Sequence, residues 1–284
     1  MDQKTNQIVY TPEPELKYPL RLISKMVNDL VHSYELAWRL FIKNISARYR
    51  QTIIGYFWAV LPPLLTSAIW IFLNSQKILS IKETSVPYPL YIIVGTILWQ
   101  VFTNSINSPI RVVKSSAIMI SKINFPREAL IFAAFFEILF SLFIQFWLLV
   151  MVFFYFNLNF SLPMLLGVLG VLGIIMMGMI VGILLTPISM LYGDVQQGLP
   201  MILQPMFYLT PIVYVPPKTG VGAIIAMYNP MSPLIQFTRE LLITGNIICI
   251  DSSIIVLAFS GLLLLLGWLI YRISMPHLIE RIAA

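Results

Sequence analysis

Two arginines stand just before the first long apolar stretch of the chain, on either side of a tyrosine. Arg48 and Arg50 are close enough in sequence to address one ligand, and guanidinium groups bind phosphate through paired donors. Cations beside a membrane segment can also serve as a simple interfacial anchor. Arg48 and Arg50 are therefore candidates for a docking or lipid-phosphate surface, with anchoring as the alternative.

One acid is expected inside the membrane. Glu137 falls near the inner third of the third apolar stretch, and Gln145 follows two turns later. An intramembrane acid is a functional candidate by default. Because no Asp, Lys, Arg or His is expected at its depth, a proton relay is disfavoured. The sequence favours a structural hydrogen bond from Glu137, which could join two helices.

Catalytic and energy-coupling motifs are missing from the sequence. It contains no G-x-x-x-x-G-K-[ST] loop, no nucleophile elbow, no HExxH and no paired carboxylates. Cys249 is the only cysteine, and His32 and His277 stand near opposite ends, so neither a disulfide nor a metal site is expected. The matched broken helices of many secondary transporters are absent too. We expect a chain that is not an enzyme, holds no cofactor and takes its energy from a partner.

The composition indicates which elements must hold these residues. Of the 284 residues, 58% are hydrophobic and only 11% are charged, and the mean hydropathy is +0.85. Soluble domains have about 25% charged residues, so an all-α integral membrane protein is predicted. The net charge of +6 could indicate nucleic acid, but cationic cytoplasmic loops are the more typical cause. Residues 1–20 are polar and rich in proline, so no cleavable signal peptide is expected.

A bilayer core of about 30 Å requires roughly 20 apolar residues per helix, and six stretches are read as spans of this kind, the third and fourth of them longer. The fifth is short and contains Pro200, Pro205 and Pro211, which predicts a broken helix beside a cavity. The predicted organisation is a polar tail (1–28), an amphipathic helix (29–53), a six-helix domain (54–275, with spans at about 54–73, 88–108, 129–156, 164–190, 199–215 and 252–271) and a C-terminus (276–284).

The distribution of cations predicts the orientation. Fourteen of the 18 Lys and Arg residues fall on one side of this map, and four fall on the other. The positive-inside rule then places both termini in the cytoplasm, which requires an even number of spans. Residues 216–251 could hold a seventh span, but Arg239 and Glu240 lie at the centre of the longer apolar run in this segment. We therefore predict short re-entrant or periplasmic helices there, broken at Asn229-Pro230 and at Ser232-Pro233.

Two basic segments are predicted to lie at the cytoplasmic surface. In residues 29–50, apolar residues recur at steps of three and four, and a separate cationic face includes Arg39 and Lys43. This pattern is typical of a helix in the membrane interface. Residues 109–128 are too polar to span but long enough for a short helix that Pro126 ends. Apolar residues among the cations of this loop favour contact with another protein.

Small and aromatic residues mark two of the predicted spans. Gly178 and Gly182 have the spacing that lets helices approach closely, for packing within the chain or across a dimer. Around the kinked fifth span, Phe207, Tyr208 and Tyr214 could belong to an interface belt or face a pore. In a pore, aromatic rings and hydroxyls would suit sugars.

Four blocks of sequence, in this order, resemble the membrane subunit of ABC-2-type exporters. More narrowly, they are similar to the polysaccharide and O-antigen export permeases, a family that includes teichoic acid exporters. The blocks are ELAWRLFIKNISARYRQTIIGYFWAVLPPL (35–64), SKINFPRE (121–128), LYGDVQQGLPMILQPMFYLTPIVY (191–214) and YNPMSPLIQFTRELLITG (228–245).

The resemblance implies a homodimeric permease with two copies of a separate ATPase subunit, which binds ATP and Mg. The dimer would move a glycan on a polyprenyl pyrophosphate out of the bacterial cytoplasm, with no role for nucleic acid. The loop 111–127 would be the coupling helix, and Arg48 and Arg50 would guide the lipid pyrophosphate. The residues implied for ATPase coupling are Arg111, Lys114, Ser121, Lys122, Phe125 and Arg127. Those implied for the glycan channel are Tyr56, Trp58, Phe207, Tyr208 and Tyr214.

Two alternatives remain open on the sequence. An ABC-2 exporter of drugs or small lipids would share the fold and differ in substrate. A secondary transporter or membrane scaffold would need no ATPase. The cationic interface helix and the aromatic content favour a glycolipid.

Overall fold

The structure is a computed structural model of the full chain. Helices dominate it, and no strand occurs in the ranges it describes. Those ranges are residue 29, 33–50, 52–78, 84, 86–123, 125–158, 161–217, 219–246 and 249–283, without the side chains of Ser121, His277 and 279–283. The whole of the predicted tail (1–28) lies outside them, and so do the positions Leu30, His32 and Gln51.

Ten α-helices make up this part of the chain. Two 3₁₀ segments, Gly55–Ala59 and Leu162–Leu166, lead into the helices that begin at Leu61 and Gly167. The α-helices are α1 Tyr34–Tyr49, α2 Leu61–Ser75, α3 Tyr88–Ser115, α4 Ala117–Lys122, α5 Glu128–Tyr155, α6 Gly167–Leu191, α7 Asp194–Leu209, α8 Val221–Tyr228, α9 Met231–Thr244 and α10 Ile250–Ala283.

Four helical segments are long and apolar enough to cross a membrane within the described residues. They are α3, α5, Leu162–Leu191 and Ile250–Pro276. The first and fifth predicted spans coincide with the shorter helices α2 and α7, of 15 and 16 residues. Helix α2 begins at Leu61-Pro62-Pro63, where prolines are tolerated in the first turn. Helix α7 continues through Pro200 and Pro205 and ends at Leu209, so the break predicted in the fifth span falls before Pro211 and not at the two earlier prolines. A multi-pass helical membrane protein is thus confirmed, and the count of six spans stays a prediction.

Helix α3 lies at the centre of the molecule. It packs against α2, α5, α6 and α9, and most of its spanning part is buried. Two glycines of α6 allow this packing: a Cβ at Gly178 would stand 2.7 Å from the Phe102 carbonyl, and one at Gly182 would stand 2.5 Å from that of Ile106. The prediction of close packing through Gly178 and Gly182 within the chain is confirmed.

Helices α5 and α10 form much of the apolar exterior. Their exposed side chains include Phe143 and Leu262, and only 22% and 17% of the residues in their most apolar parts are buried. Apolar side chains on the outside match a hydrocarbon solvent, in which exposed apolar area has no cost. We assign these faces to lipid contact.

Helix α1 packs against α5 through part of its apolar stripe. Phe41 and Ile45 of this stripe are buried, and so are Ala37 and Leu40 beside it. Trp38 is partly exposed, and its ring lies edge-on to Phe136 of α5, with centroids 5.7 Å apart. Part of the predicted stripe therefore packs inside the protein, and part of it lies on the exterior. An i,i+4 ion pair between Glu35 and Arg39 lies on the exposed face of α1.

The basic loop is divided differently from the prediction. The expected short helix is confirmed as α4, but residues 109–115 continue α3 and do not belong to a loop. Pro109 is accommodated inside α3, and the polar end of this helix extends beyond the apolar part. Polarity excluded a spanning segment at 109–115 but did not exclude helix.

The segment before the last span forms two helices, as predicted. They meet at Asn229-Pro230, where a break was expected. The second predicted break, at Ser232-Pro233, is wrong. Pro233 stands in the first turn of α9, where a missing amide proton costs little because the first helical amides have no partner within the helix.

Arg239 of α9 is buried, which the sequence did not predict. Its guanidinium donates to the carbonyls of Pro211 and Ile212 at 3.3 and 3.1 Å, and to the Tyr91 hydroxyl at 2.5 Å. The Tyr91 hydroxyl donates to the Tyr214 carbonyl at 3.0 Å. Arg239 thereby joins α9 to α3 and to the turn after α7.

A second arginine, Arg272, joins the two ends of the described chain. From α10 it donates to Asp29 at 2.8 Å and to Glu128, the first residue of α5. Glu128 is the last residue of the SKINFPRE block, so this ion-pair cluster holds the exit of the basic loop against the last helix.

Candidate functional site

Glu137 is the centre of a charged cluster that three helices bring together. Its carboxylate is 1% exposed. One oxygen, Oε2, accepts from Arg48 of α1 and from Arg111 of α3, both at 2.8 Å. The other oxygen, Oε1, accepts from Asn44 of α1 at 3.1 Å. The predicted hydrogen bond from Glu137 across helices is therefore confirmed.

The expectation that Glu137 has no basic partner at its depth is wrong. Arg48 reaches it from α1, which was predicted to lie in the interface with its cations pointing outward. Arg111 reaches it because residues 109–115 extend α3 toward α5. Long arginine side chains can enter from the membrane surface while their own backbone stays outside the apolar region.

The charges of this cluster do not cancel. Two arginines face one carboxylate, so one positive charge is left over. Glu137 is buried, whereas the side chains of Arg48 and Arg111 are 31% and 41% exposed. A buried carboxylate requires such partners, because an unpaired buried charge is strongly unfavourable. The excess charge lies on the accessible side, where it can attract an anion.

A cavity of about 330 Å³ opens beside this cluster. We call it the arginine cavity; its lining includes Arg48, Tyr49, Trp58, Asn104, Arg111 and Glu137. The volume is in the range of small-molecule sites, about 300–1,000 Å³. The structure thus brings Arg48 together with Arg111. Arg50, its predicted companion, follows the last residue of α1 and is exposed.

A second cavity, of about 390 Å³, lies among α2, α3 and α7. We call it the aromatic cavity; its lining includes Thr66, Trp99, Asn107, Gln204, Phe207 and Tyr208. The predicted channel residues Phe207 and Tyr208 meet here, and Trp58 lines the arginine cavity. Tyr56 packs against Tyr49 and Phe140, and Tyr214 donates to the Leu209 carbonyl at 3.2 Å.

A polar face on α3 was missed by the sequence reasoning. Gln100, Thr103, Asn104, Asn107 and Arg111 recur at steps of three and four, which places them on one side of the helix. The period was readable, but the search was for ionisable residues and four of these five are neutral. Gln100 lines both cavities, and so this face connects them.

The residues predicted to couple to an ATPase are dispersed. Arg111 binds Glu137, and Lys114 donates to Gln196 of α7 at 2.6 Å. Lys122 is exposed at the end of α4, whereas Phe125 and Arg127 are half-buried. The side chain of Ser121 lies outside the described residues. Lys122 is therefore the predicted cation best placed for an external partner.

Within the residues that the structure describes, no group of three or more His, Cys, Asp or Glu side chains is placed to hold a metal ion. The polar groups around the two cavities are arginines, amides and hydroxyls, together with the Glu137 carboxylate that the two arginines already engage. Such groups bind anionic and hydroxylated ligands.

Comparison with known proteins places the chain in a family. The sequence pattern of ABC-2 type transporters matches residues 35–243, which run from the first turn of α1 to the last turn of α9. The chain belongs to the ABC-2 type transporter family. It is a membrane permease of the kind that pairs with an ABC ATPase subunit.

This ABC-2 permease is similar to curated proteins named O-antigen export system permease protein RfbA. One from Klebsiella pneumoniae is 25% identical over 84% of this chain and 92% of its own length. A second from that organism is also 25% identical, over 78% and 85%. A third, from Myxococcus xanthus, is 23% identical over 37% and 40%. The similarity therefore covers most of the chain and supports the resemblance to O-antigen export permeases.

Proposed function

We propose that this ABC-2 permease is the membrane subunit of an exporter that moves a polyprenyl-pyrophosphate-linked, O-antigen-like polysaccharide across the bacterial cytoplasmic membrane. The observation that carries the proposal is the arginine cavity. Arg48 and Arg111 share one carboxylate oxygen of Glu137 and keep an excess positive charge next to Tyr49 and Trp58. A lipid pyrophosphate offers the opposite charge and several acceptor oxygens.

The proposal changes the pair of arginines expected to guide the pyrophosphate. Arg48 keeps that role, and Arg111 joins it in place of coupling. Arg50, exposed just after α1, would meet the headgroup before it reaches the cavity. The names of the K. pneumoniae relatives support a glycan as cargo, and so do the rings of Phe207 and Tyr208 in the aromatic cavity.

The remaining parts of the exporter are proposed with it. Two copies of the permease would enclose the glycan path, and two ATPase subunits would bind ATP and Mg and hydrolyse the ATP. Helix α4, with Lys122 exposed at its end, would contact the ATPase. Both termini would lie in the cytoplasm, and α8 and α9 would form the periplasmic mouth.

Deletion of the gene tests the proposal. Lipid-linked polysaccharide should accumulate inside the cells and disappear from their surface, and the wild-type gene supplied in trans should restore it. Normal surface polysaccharide in the deletion strain would refute glycan export. Stimulation of the purified complex's ATPase by drugs, and not by lipid-linked glycan, would favour a drug exporter.

A further inference from the structure

The polar face of α3 extends beyond the arginine cavity to residues that take no part in the contacts of Glu137. Gln100, Thr103 and Asn107 are partly exposed and line the aromatic cavity. Polar side chains at membrane depth face a protein interior or a water-filled space. An amide-bearing face this long therefore indicates a wet path beside α3.

The two cavities differ in chemistry although they share Gln100. The arginine cavity holds Arg48, Arg111 and Glu137, which suit a phosphate. The aromatic cavity combines the rings of Trp99, Phe207 and Tyr208 with the amides of Gln100, Asn107 and Gln204. Rings that cover C–H faces and amides that exchange hydrogen bonds with hydroxyls are the usual components of a sugar site.

Internal hydrogen bonds fix the positions of the side chains on this face. Asn104 donates to Ser141 of α5 at 3.0 Å, and the amide nitrogen of Gln100 donates to Asn104 at 3.3 Å. The amide nitrogen of Asn107 donates to the Thr103 carbonyl at 2.8 Å. These bonds engage the nitrogen atoms of Gln100 and Asn107, so each amide oxygen can accept from a ligand hydroxyl.

We propose that the α3 face formed by Gln100, Thr103 and Asn107 is a sugar-binding wall, which receives the glycan units next to the pyrophosphate while the arginine cavity holds the pyrophosphate itself. The inference rests on the proposed function and deepens it, because it divides one lipid-linked substrate between two cavities that meet at Gln100. Neutral amides suit a polymer in transit, since each hydrogen bond to them is worth only about 0.5–1.5 kcal/mol.

Thiol labelling tests whether the wall faces water. Cys249 is the only cysteine and is exposed, so Cys249→Ser gives a thiol-free background. Gln100→Cys and Asn107→Cys are introduced singly, and Phe143→Cys on the lipid-facing side of α5 is the matched control. The probe is the membrane-impermeant cation MTSET, applied to membranes that contain the full exporter. Thiols react as thiolates, which form in water.

We expect MTSET to modify the two wall positions at least about tenfold faster than Phe143→Cys. Labelling of the wall positions no faster than that of Phe143→Cys would overturn the proposal of a sugar-binding wall. So would a disulfide between the Gln100→Cys residues of two permease copies, because it would show that the face is an interface between protomers.

Export by the same strains separates this inference from the proposed function. The adduct at Gln100→Cys should block glycan export, and Gln100→Leu should weaken it about fivefold, the effect of one neutral hydrogen bond. Gln100→Asn, which keeps the amide, should be affected less.

Unchanged export by labelled Gln100→Cys would refute the sugar-binding wall and leave the proposed function standing. Absence of glycan export by the wild type would refute the proposed function, whatever the labelling shows.

Discussion

At the scale of single residues, the arrangement around Glu137 makes one carboxylate serve two purposes. It balances one of two arginines that would otherwise repel each other, and it fixes both guanidinium groups at the edge of the arginine cavity. Because Oε2 is shared and Oε1 is engaged by Asn44, the acid has little freedom to move. A fixed acid that already has two cationic partners suits positioning better than proton transfer.

Replacement of Glu137 by Gln should therefore destabilise the permease. The change leaves Arg48 and Arg111 close together without a counter-charge, and breaking a buried ion pair costs about 3–5 kcal/mol. The measurement is the thermal unfolding midpoint of the purified protein.

Glu35→Gln is the matched control, because it removes one partner of the exposed Glu35–Arg39 pair, and such pairs contribute about 0–1 kcal/mol. The double variant Glu137→Gln/Arg111→Gln should regain part of the loss. An equal small shift for both single variants would show that the Glu137 cluster is structurally unimportant.

At the scale of elements, the position of α3 depends on glycines in α6. A side chain at Gly178 or Gly182 would meet the α3 backbone itself, and a backbone cannot rotate away as a side chain can. The helix that carries the polar face is thereby held against the rest of the bundle. The spacing and depth of the two cavities follow from this contact.

Gly178→Ala should lower stability by about 1–3 kcal/mol, the usual cost of overpacking. Gly198→Ala in α7 is the control, since nothing lies within 4 Å of a Cβ there and alanine favours a helix over glycine. Yield of monodisperse protein and its unfolding midpoint would measure the difference. A Gly178→Ala variant as stable as Gly198→Ala would contradict the tight α3–α6 contact.

The sequence was informative where one interaction dominates and less so where several compete. Apolar length located α3, α5, α6 and α10, and the gap between two spans correctly predicted α4. The end of α3 was missed because Arg111 and Lys114 suggested a loop, whereas both side chains bind neighbouring helices. Glu137 was found as a candidate, but its partners were not, since Arg48 is 89 residues away and Arg111 is 26. Only packing brings them together.

At the scale of the whole molecule, the predicted topology gives the two sides of the membrane domain different charges. The side predicted to be cytoplasmic carries most of the cations, with Lys122 exposed on α4. The opposite side has few, and Arg239 there is buried in hydrogen bonds to backbone carbonyls. Any external partner that binds through charge should therefore bind the α4 side.

Lys122→Glu should weaken the association with the ATPase, because a cation at the interface becomes an anion and like charges are then opposed. Co-purification of the tagged permease with its ATPase is the measurement, repeated at two salt concentrations. Lys77→Glu, on the predicted outer side, is the charge-matched control. Recovery of the ATPase at wild-type yield with Lys122→Glu would argue against α4 as the contact.

The native Cys249 provides a test of orientation in the unmodified chain. It is exposed just before α10, on the side predicted to be periplasmic. A membrane-impermeant maleimide should label it in intact, outer-membrane-permeabilised cells and not in sealed inside-out vesicles. The reverse labelling pattern would show that the predicted orientation is wrong.

The ion pairs of Arg272 have a consequence for biosynthesis. Arg272 and Asp29 are 243 residues apart, so Asp29 has no access to this partner until the last helix has been synthesised. Contacts this distant in sequence form late, after much chain entropy has been lost. A nascent permease would insert its earlier helices while α1 and the entrance of α5 still lack their anchor. The synthesis of α10 then completes the ion-pair cluster, and a chain truncated before Arg272 would leave Asp29 and Glu128 without this partner.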